Sequence, residues 1–370
     1  MIINLFFILF IAATVIQLVY WAVIFSKLTF YKPKNNTYEK PDVSVSIIIC
    51  ARNEATNLEN NLSRILNQNY RSFEVIVVDD NSYDTTHNIL LKYHIENPNL
   101  CSLKVTNKPD GSGKKFALSK GIEAANNDVL LLTDADCIPN SPNWISEMVQ
   151  PLNDSVKIVL GYAPYFEAKG FLNKIIRYET TLTAMQYFSF ALMGLPYMGV
   201  GRNLLYSKSL YQKTGGFQKH DHLLSGDDDL FVNEIATSKN VALVIEKSSF
   251  VYSAPKKSWK AFYRQKARHL TTGKHYKLKH KILLGLYSLS HFLHYVAGLV
   301  LIILDFSTIF AVGIIYLMRI SVVLLLCRPI LKKFDQQSLL KWYPILDAFF
   351  VLYYLIFSPI LMKGNTDQWK

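Results

Sequence analysis

The chain is apolar at both ends and alternates between short apolar runs and helical spacing in the middle. Residues 2–25 include no charged side chain, and their number fits one membrane-spanning helix of about 20 residues. A signal peptide would have a basic start and a shorter apolar core, so we interpret this run as a retained anchor. Three further apolar stretches follow, at residues 282–304, 307–327 and 343–361. The pattern predicts four membrane spans, and buried helices of a soluble protein are the alternative.

In the middle of the chain, strand-like runs alternate with helical patterns. The strands are predicted at residues 43–50, 74–78, 103–106 and 129–133, and the helices at 55–68, 85–93 and 115–125. Alternation of this kind is typical of parallel strands joined by right-handed crossovers. The predicted fold class is therefore α/β, with a Rossmann-like mixed, mainly parallel sheet flanked by transmembrane helices. Ligands of such sheets bind beyond the carboxyl ends of the strands.

These patterns divide the chain into four segments. We predict an N-terminal transmembrane helix at residues 1–26, a cytoplasmic α/β domain at 27–255, a basic interfacial segment at 256–281 and about three transmembrane helices at 282–370. Basic residues follow the first span and separate the third from the fourth, at Lys27, Lys32, Lys34, Arg328, Lys332, Lys333 and Lys341. The positive-inside rule places both clusters in the cytosol. The chain is thus predicted to be an integral protein of the plasma or inner membrane, with residues 28–281 inside.

The net charge of +12 owes much to residues 256–281, which contain ten lysines and arginines and no acid. Trp259, Phe262 and Tyr263 are interleaved with these cations, so a helix lying on an anionic leaflet is favoured over nucleic-acid binding. The four cysteines include no Cys-x-x-Cys pair, which indicates neither a zinc site nor a disulfide framework. Arg319 lies inside the third span, where a charge is either paired or functional, and both alternatives stay open.

Polar residues follow three of the predicted strands. Asp134-Ala135-Asp136 follows the strand at residues 129–133. Two other predicted strands are followed by Ala51-Arg52-Asn53-Glu54 and by Asp79-Asp80-Asn81-Ser82. Since parallel strands present their carboxyl ends at one edge, we expect these groups to lie together. Carboxylates there suit Mg²⁺ or Mn²⁺ on a substrate phosphate, or the hydroxyls of a ribose. An acidic turn is the alternative for Asp134-Ala135-Asp136.

A glycine-rich turn, Gly111-Ser112-Gly113-Lys114, does not have the spacing of a phosphate loop. Such a loop would have glycine in place of Lys108 and serine or threonine in place of Lys115. A flexible loop that brings Lys114 to a phosphate and a polar turn that caps the next helix both fit the sequence. No Gly-x-Gly-x-x-Gly follows a strand, so a dinucleotide fold is not indicated.

Two later segments are rich in candidate groups. Asp227-Asp228-Asp229 precedes a helical pattern, where one acid suffices for a cap and another is available as a general base. In the basic segment Gln265, Arg268 and His269 share one helix face, with a solvated basic surface as the alternative.

Three other regions are weaker candidates for the acceptor side. Residues 199–203 are predicted to form an acceptor-side loop because glycine permits close backbone approach. Residues 171–196 fit an interfacial helix that guides a lipid or, equally, a core helix. His220 and His222 fit a flap over the site or, better, a plain surface loop.

Taken in order, these motifs resemble those of the family 2 glycosyltransferases with the GT-A fold, over roughly residues 43–270. Gly113-Lys114-x-x-Ala117-Leu118 and Gln265-x-x-Arg268-His269 add to the match. The resemblance implies that Asp227 is the catalytic base and that Asp136, helped by Asp134, binds Mg²⁺ or Mn²⁺. It implies a donor site formed by Ala51, Asn53, Glu54, Asp79, Asn81, Lys114, Asp134 and Ala135. It implies acceptor or diphosphate contacts from Arg202, Asn203, Asp229, Gln265, Arg268 and His269.

Two residues depart from the family pattern. Gly226 stands where an acid usually precedes the base, and His269 stands where tryptophan usually ends the Gln-x-x-Arg-Trp motif. Histidine stacks on a sugar less well than tryptophan, which disfavours processive polymerisation.

The resemblance predicts an inverting, metal-dependent glycosyltransferase. Its partners would be a nucleotide diphosphate sugar (UDP-sugar by family expectation), a lipid-linked or saccharide acceptor, and membrane lipids, but no nucleic acid. The product would be a glycolipid or a surface polysaccharide. The alternatives are a processive polysaccharide synthase and, in another class, a catalytically silent membrane scaffold.

Overall fold

The computed structural model describes residues 1–33, 42–106, 113–223 and 225–362, and its centre is a seven-stranded mixed sheet. The strands, in chain order, are β1 (Val45–Ala51), β2 (Phe73–Asp79), β3 (Leu100–Lys104), β4 (Val129–Asp134), β5 (Cys137–Pro139), β6 (Ile158–Leu160), β7 (Leu204–Ser207), β8 (Val241–Leu243) and β9 (Val251–Ser253). The large sheet has the order β3-β2-β1-β4-β7-β6-β8, whereas β5 and β9 form a separate antiparallel pair.

The predicted α/β class with a mixed, mainly parallel sheet is confirmed. β1 runs parallel to β2 and β4, and β2 runs parallel to β3, whereas β7 is antiparallel to β4 and β6. The register places Ala51 opposite Asp79 and Cys50 opposite Asp134. The third strand begins three residues earlier than predicted, since Leu100 is buried and pairs with Val75. The polar residues that follow β1, β2 and β4 consequently meet at one edge.

Helices pack on both faces of this sheet and continue into a bundle of long apolar helices. In chain order they are α1 (Ile2–Val19), α2 (Ser26–Phe30), α3 (Ala55–Leu66), α4 (Thr86–Glu96), α5 (Lys114–Ala124), α6 (Trp144–Val149), α7 (Phe171–Leu192), α8 (Lys208–Lys213), α9 (Asp229–Ile235), α10 (Trp259–Leu270), α11 (Leu278–Leu304), α12 (Ile309–Lys333) and α13 (Tyr343–Met362). A π-helical turn, Tyr20–Phe25, joins α1 to α2.

Alternate residues of β1 supply two separate cores. Ile47 and Ile49 face one side, with apolar residues of α3 and α6. Ile48 faces the other side and belongs to a core that continues through α7 into the apolar bundle. This alternation is the period of two that a strand imposes on its side chains. The second core therefore fixes the α/β domain against the bundle.

Four helices of the described residues are long and apolar enough to cross a membrane. They are Ile2–Phe30, Leu278–Leu304, Phe306–Lys333 and Gln337–Ile360. They match the four predicted spans, and the first continues to Phe30 rather than ending at residue 25. Helix α7, predicted either as an interfacial helix or as a core helix, buries most of its length and packs Tyr178 against Tyr343 and Phe350 of α13.

Arg319 is paired inside the bundle, which settles the two alternatives left by the sequence. Its guanidinium donates to the carboxylate of Asp347 on α13 and to Gln17 Oε1 on α1, the latter at 3.0 Å. Asp347 also accepts hydrogen bonds from Tyr295 of α11 at 2.6 Å and from Tyr178 of α7 at 3.2 Å. This cluster joins α7 to four helices of the bundle, α1, α11, α12 and α13.

Replacing Arg319 with leucine should lower the free energy of unfolding by about 3–5 kcal/mol, because the Asp347 carboxylate stays buried without its cation. The double variant Arg319→Leu/Asp347→Leu should lose much less, since no unpaired charge remains. Thermal unfolding of the detergent-solubilised protein measures both. Arg328→Leu, which removes an exposed cation from the same helix, is the matched control. Equal losses in the single and double variants would contradict a paired role.

Candidate active site

A cavity of 690 Å³ opens at the carboxyl ends of β1 and β4 and extends to α7, α10 and α11. Most of the residues predicted from the sequence line it. They are Glu54, Lys114, Asp134, Ala135, Asp136, Arg202, Asp227, Asp229, Gln265, Arg268 and His269. The cavity thus gathers groups that are more than 200 residues apart in the chain.

Two carboxylates form an oxygen-rich corner of this cavity. Asp134 is the last residue of β4, Asp136 follows in the turn, and one ligand atom of each lies within 4.8 Å of the other and of Cys137 Sγ. Burial and the neighbouring Asp134 raise the pKa of Asp136. A hard divalent cation would relieve that repulsion, and carboxylate oxygens are the ligands it prefers. The thiol is a soft ligand and points its hydrogen toward Asp136 Oδ1 at 3.5 Å.

Lys114 connects the oxygen-rich corner to the three aspartates before α9. Its Nζ lies 2.6 Å from Asp134 Oδ1 and 3.4 Å from Asp227 Oδ2. Burial alone would lower the pKa of Lys114, but these two carboxylates raise it well above its usual value. The ammonium is therefore charged and positioned by the first turn of α5. The rest of the glycine-rich turn, with Lys108, Gly111 and Ser112, lies outside the described residues.

The three consecutive aspartates have different surroundings. Asp228 caps α9 by accepting from the Asp229 amide at 2.7 Å, and its other oxygen accepts from the Gly201 amide at 2.7 Å. Burial and the two neighbouring acids raise the pKa of Asp228 to about 7. Asp229 accepts from the hydroxyl groups of Thr272 and Tyr276. Asp227 instead lies at the cavity wall, with one carboxylate oxygen 3.4 Å from Lys114 Nζ.

The geometry at Gly226 explains why an acid is missing there. Its φ is +102°, a value that L side chains rarely adopt, and a Cβ would lie 2.5 Å from Leu230 Cδ1. A side chain at position 226 would strain the turn that presents Asp227.

Helix α10 directs the predicted trio into the cavity. Gln265 Nε2 donates to the Tyr165 hydroxyl at 3.1 Å, and its buried Oε1 has no hydrogen-bond partner among the described residues. His269 is open to the cavity, but partial loss of water around its ring and the adjacent cations Lys266 and Arg268 lower the pKa of this imidazole well below its usual value. The imidazole is therefore neutral at physiological pH.

Arg202 lines the cavity between these groups. Its Nη1 donates to Ser253 Oγ at 2.6 Å, and its guanidinium lies 4.4 Å from the centre of the Tyr165 ring. The carboxylates Asp134 and Asp136 interact favourably with its charge. Arg202 thus presents a fixed cation beside the oxygen-rich corner.

Asn203 does not line the cavity, and this corrects its prediction as an acceptor or diphosphate contact. The side chain is fully buried. Its Oδ1 accepts from Trp144 Nε1 at 2.9 Å, and its Nδ2 donates to the carbonyls of Tyr162 and Ser249, each at 2.9 Å. Both N–H groups of the amide and one lone pair of its oxygen thus tie β7 to neighbouring segments inside the protein.

Asn203→Ala should therefore lower the free energy of unfolding by about 1–3 kcal/mol, because it leaves buried polar partners unsatisfied. Asn143→Ala, at an exposed position beside Trp144, should change it by no more than about 0.5 kcal/mol. Thermal unfolding measures both variants. A normal stability for Asn203→Ala would contradict this structural role.

Four predicted donor residues lie beside the cavity rather than in its wall, namely Ala51, Asn53, Asp79 and Asn81. They lie at the ends of β1 and β2 or in the two segments that follow these strands, and they take part in hydrogen bonds there. Asn53 accepts from the Tyr83 amide at 3.0 Å, and Asp79 Oδ1 accepts from the Ser82 amide at 3.0 Å. Asp79 Oδ2 is buried, lies 4.0 Å from His87 Nδ1 and accepts no hydrogen bond from the described residues. This oxygen is available to a donor group of a ligand.

Sequence reasoning missed several residues that line the cavity, namely Arg52, Tyr165, Glu179, Lys256 and Lys266. Lys266 of α10 forms an ion pair with Glu179 of α7. An acid within the apolar α7 pattern was the available signal, because a charge in such a place needs a partner. His220 and His222 do not line the cavity, which favours the surface-loop alternative for them.

Comparison with known proteins agrees with this geometry. Residues 46–215 match the sequence model of the family described as Glycosyl transferase family 2. The chain is 27% identical over 249 residues to the probable glycosyltransferase YdaM of Bacillus subtilis, with 64% of this chain and 56% of that protein aligned. It is 29% identical over 129 residues to the poly-beta-1,6-N-acetyl-D-glucosamine synthase of Staphylococcus aureus, with 32% and 30% aligned. The chain thus covers less than two thirds of the length of these relatives.

A solved structure shares the fold over nearly the whole chain. The mannosyltransferase PcManGT from Pyrobaculum calidifontis, in complex with GDP-Man and Mn²⁺, has a TM-score of 0.61 and 19% identity. The alignment covers 95% of this chain and 99% of that one.

Proposed function

Residues 46–215 belong to glycosyltransferase family 2 and are part of a GT-A-like domain, and from this premise we propose metal-dependent, inverting sugar transfer from a nucleotide diphosphate sugar. The observation that supports this most strongly is Lys114, which contacts Asp134 and Asp227 in one cavity. Lys114 links a cation-binding corner to a base. Sugar transfer needs a cation beside the diphosphate leaving group on one side of the reacting carbon and a base beside the acceptor hydroxyl on the other side.

The donor would lie across the carboxyl ends of β1, β2 and β4. Asp79 and Glu54 would hold the nucleoside, since a carboxylate at a strand end accepts from ribose or base. UDP is the nucleotide that the family resemblance favours. PcManGT, which shares the fold, was solved in complex with GDP-Man, and this makes GDP-sugars the next class to test.

A divalent cation fits the oxygen-rich corner. Asp136 would be its direct ligand, and Asp134, which already binds Lys114, would assist. The PcManGT complex contains Mn²⁺, which supports Mn²⁺ or Mg²⁺ in this role. The ion would supply charge neutralisation at the diphosphate.

The chain's own residues account for the other parts of the reaction. Asp227 takes the proton from the acceptor hydroxyl as the hydroxyl oxygen bonds to the anomeric carbon of the sugar. The bond from that carbon to the diphosphate breaks on the opposite face, so the configuration inverts. Lys114 and Arg268 stabilise the negative charge that grows on the leaving group. The neutral His269 adds no charge to the site.

We propose that the cavity faces the cytosol, close to the membrane. Lys333 Nζ donates to the carbonyls of Leu28, Thr29 and Tyr31 at 2.6–2.7 Å. The basic end of the third span therefore lies beside the basic end of the first. The basic ends of the first and third spans satisfy the positive-inside rule only when the side of the membrane on which they lie is cytosolic.

The experiment that tests this function is a screen of radiolabelled nucleotide sugars with the detergent-solubilised protein. One donor should be hydrolysed slowly in the presence of Mn²⁺ or Mg²⁺, and EDTA should stop the reaction. Absence of hydrolysis for every donor and metal would favour the catalytically silent scaffold. A ladder of product sizes after addition of acceptor would favour a processive synthase, which the similarity to the staphylococcal synthase keeps as the second candidate.

A further inference from the structure

The cavity does not end at the aspartates but continues as a slot between α7 and α11. Thr183 and Ala184 line it on the α7 side, and Leu284, Gly285 and Ser288 line it on the α11 side. Helix α11 is one of the four helices that can cross a membrane. The slot therefore connects the site of the chemistry with the lipid-facing part of the chain.

Gly285 marks the place where this slot opens. The residue is exposed although it also lines the cavity, and a Cβ built on it meets no atom within 4 Å. It lies four residues beyond Lys281, or about 6 Å of helix rise. Since lysines at the start of a span lie at the polar surface of the bilayer, the opening is near the boundary of the hydrocarbon.

The two ends of the cavity differ in chemical character. The deep end contains Lys114, Arg202, Asp227 and Arg268, whereas the residues that line the slot, Thr183, Ala184, Leu284, Gly285 and Ser288, carry no charge. An amphiphile would match both ends, with its polar head at Asp227 and its apolar tail leaving between the helices.

The nature of the base indicates which head group is attacked. A hydroxyl must lose a proton as it reacts, and Asp227 is placed to accept it. A phosphate monoester is already ionised near neutral pH and needs no base.

We propose that the acceptor is a membrane lipid that reacts through a hydroxyl group, with its tail in the slot between α7 and α11. This inference rests on the proposed function and specifies its acceptor. In the reaction, the lipid oxygen bonds to the anomeric carbon, the bond to the diphosphate breaks and the hydroxyl proton passes to Asp227. The product is a glycoside rather than a sugar phosphate.

The first test uses the donor found in the screen and a chloroform–methanol lipid extract of the source cells. The label should enter the organic phase in a single lipid and should survive mild acid, because glycosides are stable there and sugar phosphates are cleaved. Label released by mild acid as the free monosaccharide would show a lipid-phosphate acceptor and overturn the proposal. Label only in water-soluble or polymeric material would also overturn it. Failure to hydrolyse any donor would instead count against the proposed function itself.

The second test locates the tail. Gly285→Leu should fill the slot and reduce the ratio of lipid transfer to donor hydrolysis at least about tenfold, since loss of contact with two methylenes costs about fourfold each. Gly313→Leu is the matched control, because Gly313 also has open space around it but lies on α12 outside the cavity. Its ratio should equal that of the wild type. Equal ratios in the two variants would overturn the slot as the path of the tail.

Discussion

Asp227→Asn should lower kcat for sugar transfer by about 10²–10⁴-fold, while the Kd for the nucleotide sugar stays close to that of the wild type. The amide has the shape of the carboxylate but does not accept the proton of the acceptor hydroxyl, and a positioned base contributes about this much to the rate. The contact of Lys114 with Asp134, 2.6 Å long, does not involve Asp227, so the donor side should stay intact. Initial rates with labelled donor and calorimetric titration measure the two quantities.

Asp228→Asn is the control for the base, because it removes a neighbouring acid of equal size. Asp228 accepts from the amides of Gly201 and Asp229, so its loss should disturb the loop and reduce kcat by less than about tenfold. Near-normal turnover in Asp227→Asn, or an equal effect of the two variants, would remove Asp227 from its proposed role.

Asp136→Ala should abolish the metal-dependent part of donor binding. The variant loses the carboxylate proposed as the direct ligand, and even an indirect partner of a bound metal is worth about 10–100-fold. We therefore expect donor affinity in Mn²⁺ to fall at least about 100-fold and to become insensitive to EDTA. Donor titrations with Mn²⁺ and with EDTA measure this loss.

Cys137→Ala is the matched control for the metal site. Its sulfur lies in the same group of atoms as Asp134 and Asp136, but it is a soft thiol, which Mg²⁺ and Mn²⁺ do not prefer. This variant should keep its metal dependence. An unchanged metal effect in Asp136→Ala, or a loss in Cys137→Ala, would contradict the assignment of the ligands.

The strands and the apolar helices could be predicted because their signals are local. The residues before Asp134 form a continuous apolar run, and residues 55–68 repeat apolar side chains at helical spacing. Both signals extend over only a few residues, and the apolar side chains in these two segments are largely buried in the structure. Burial of an uninterrupted hydrophobic run depends mainly on the run itself. The order of the motifs likewise predicted the family whose sequence model matches residues 46–215.

The roles of individual polar residues could not be predicted in this way. Arg202 and Asn203 are adjacent in one glycine-containing loop, yet Arg202 lines the cavity and Asn203 is fully occupied by Trp144 and two carbonyls. Nothing in the local sequence distinguishes them, because their partners come from distant segments. The same holds for Arg319, whose partner Asp347 lies on another helix.

By itself, the sequence determined four of the nine strands of the described residues, the apolar helices and which carboxylates end the strands, since hydrophobic periodicity is a property of neighbouring residues. Only the tertiary structure decided that Lys114 connects Asp134 with Asp227 and that the cavity reaches Gly285 on α11. Side-chain contacts of this kind depend on how the sheet, α7 and the membrane helices pack together, and each contact joins segments that are far apart in the chain.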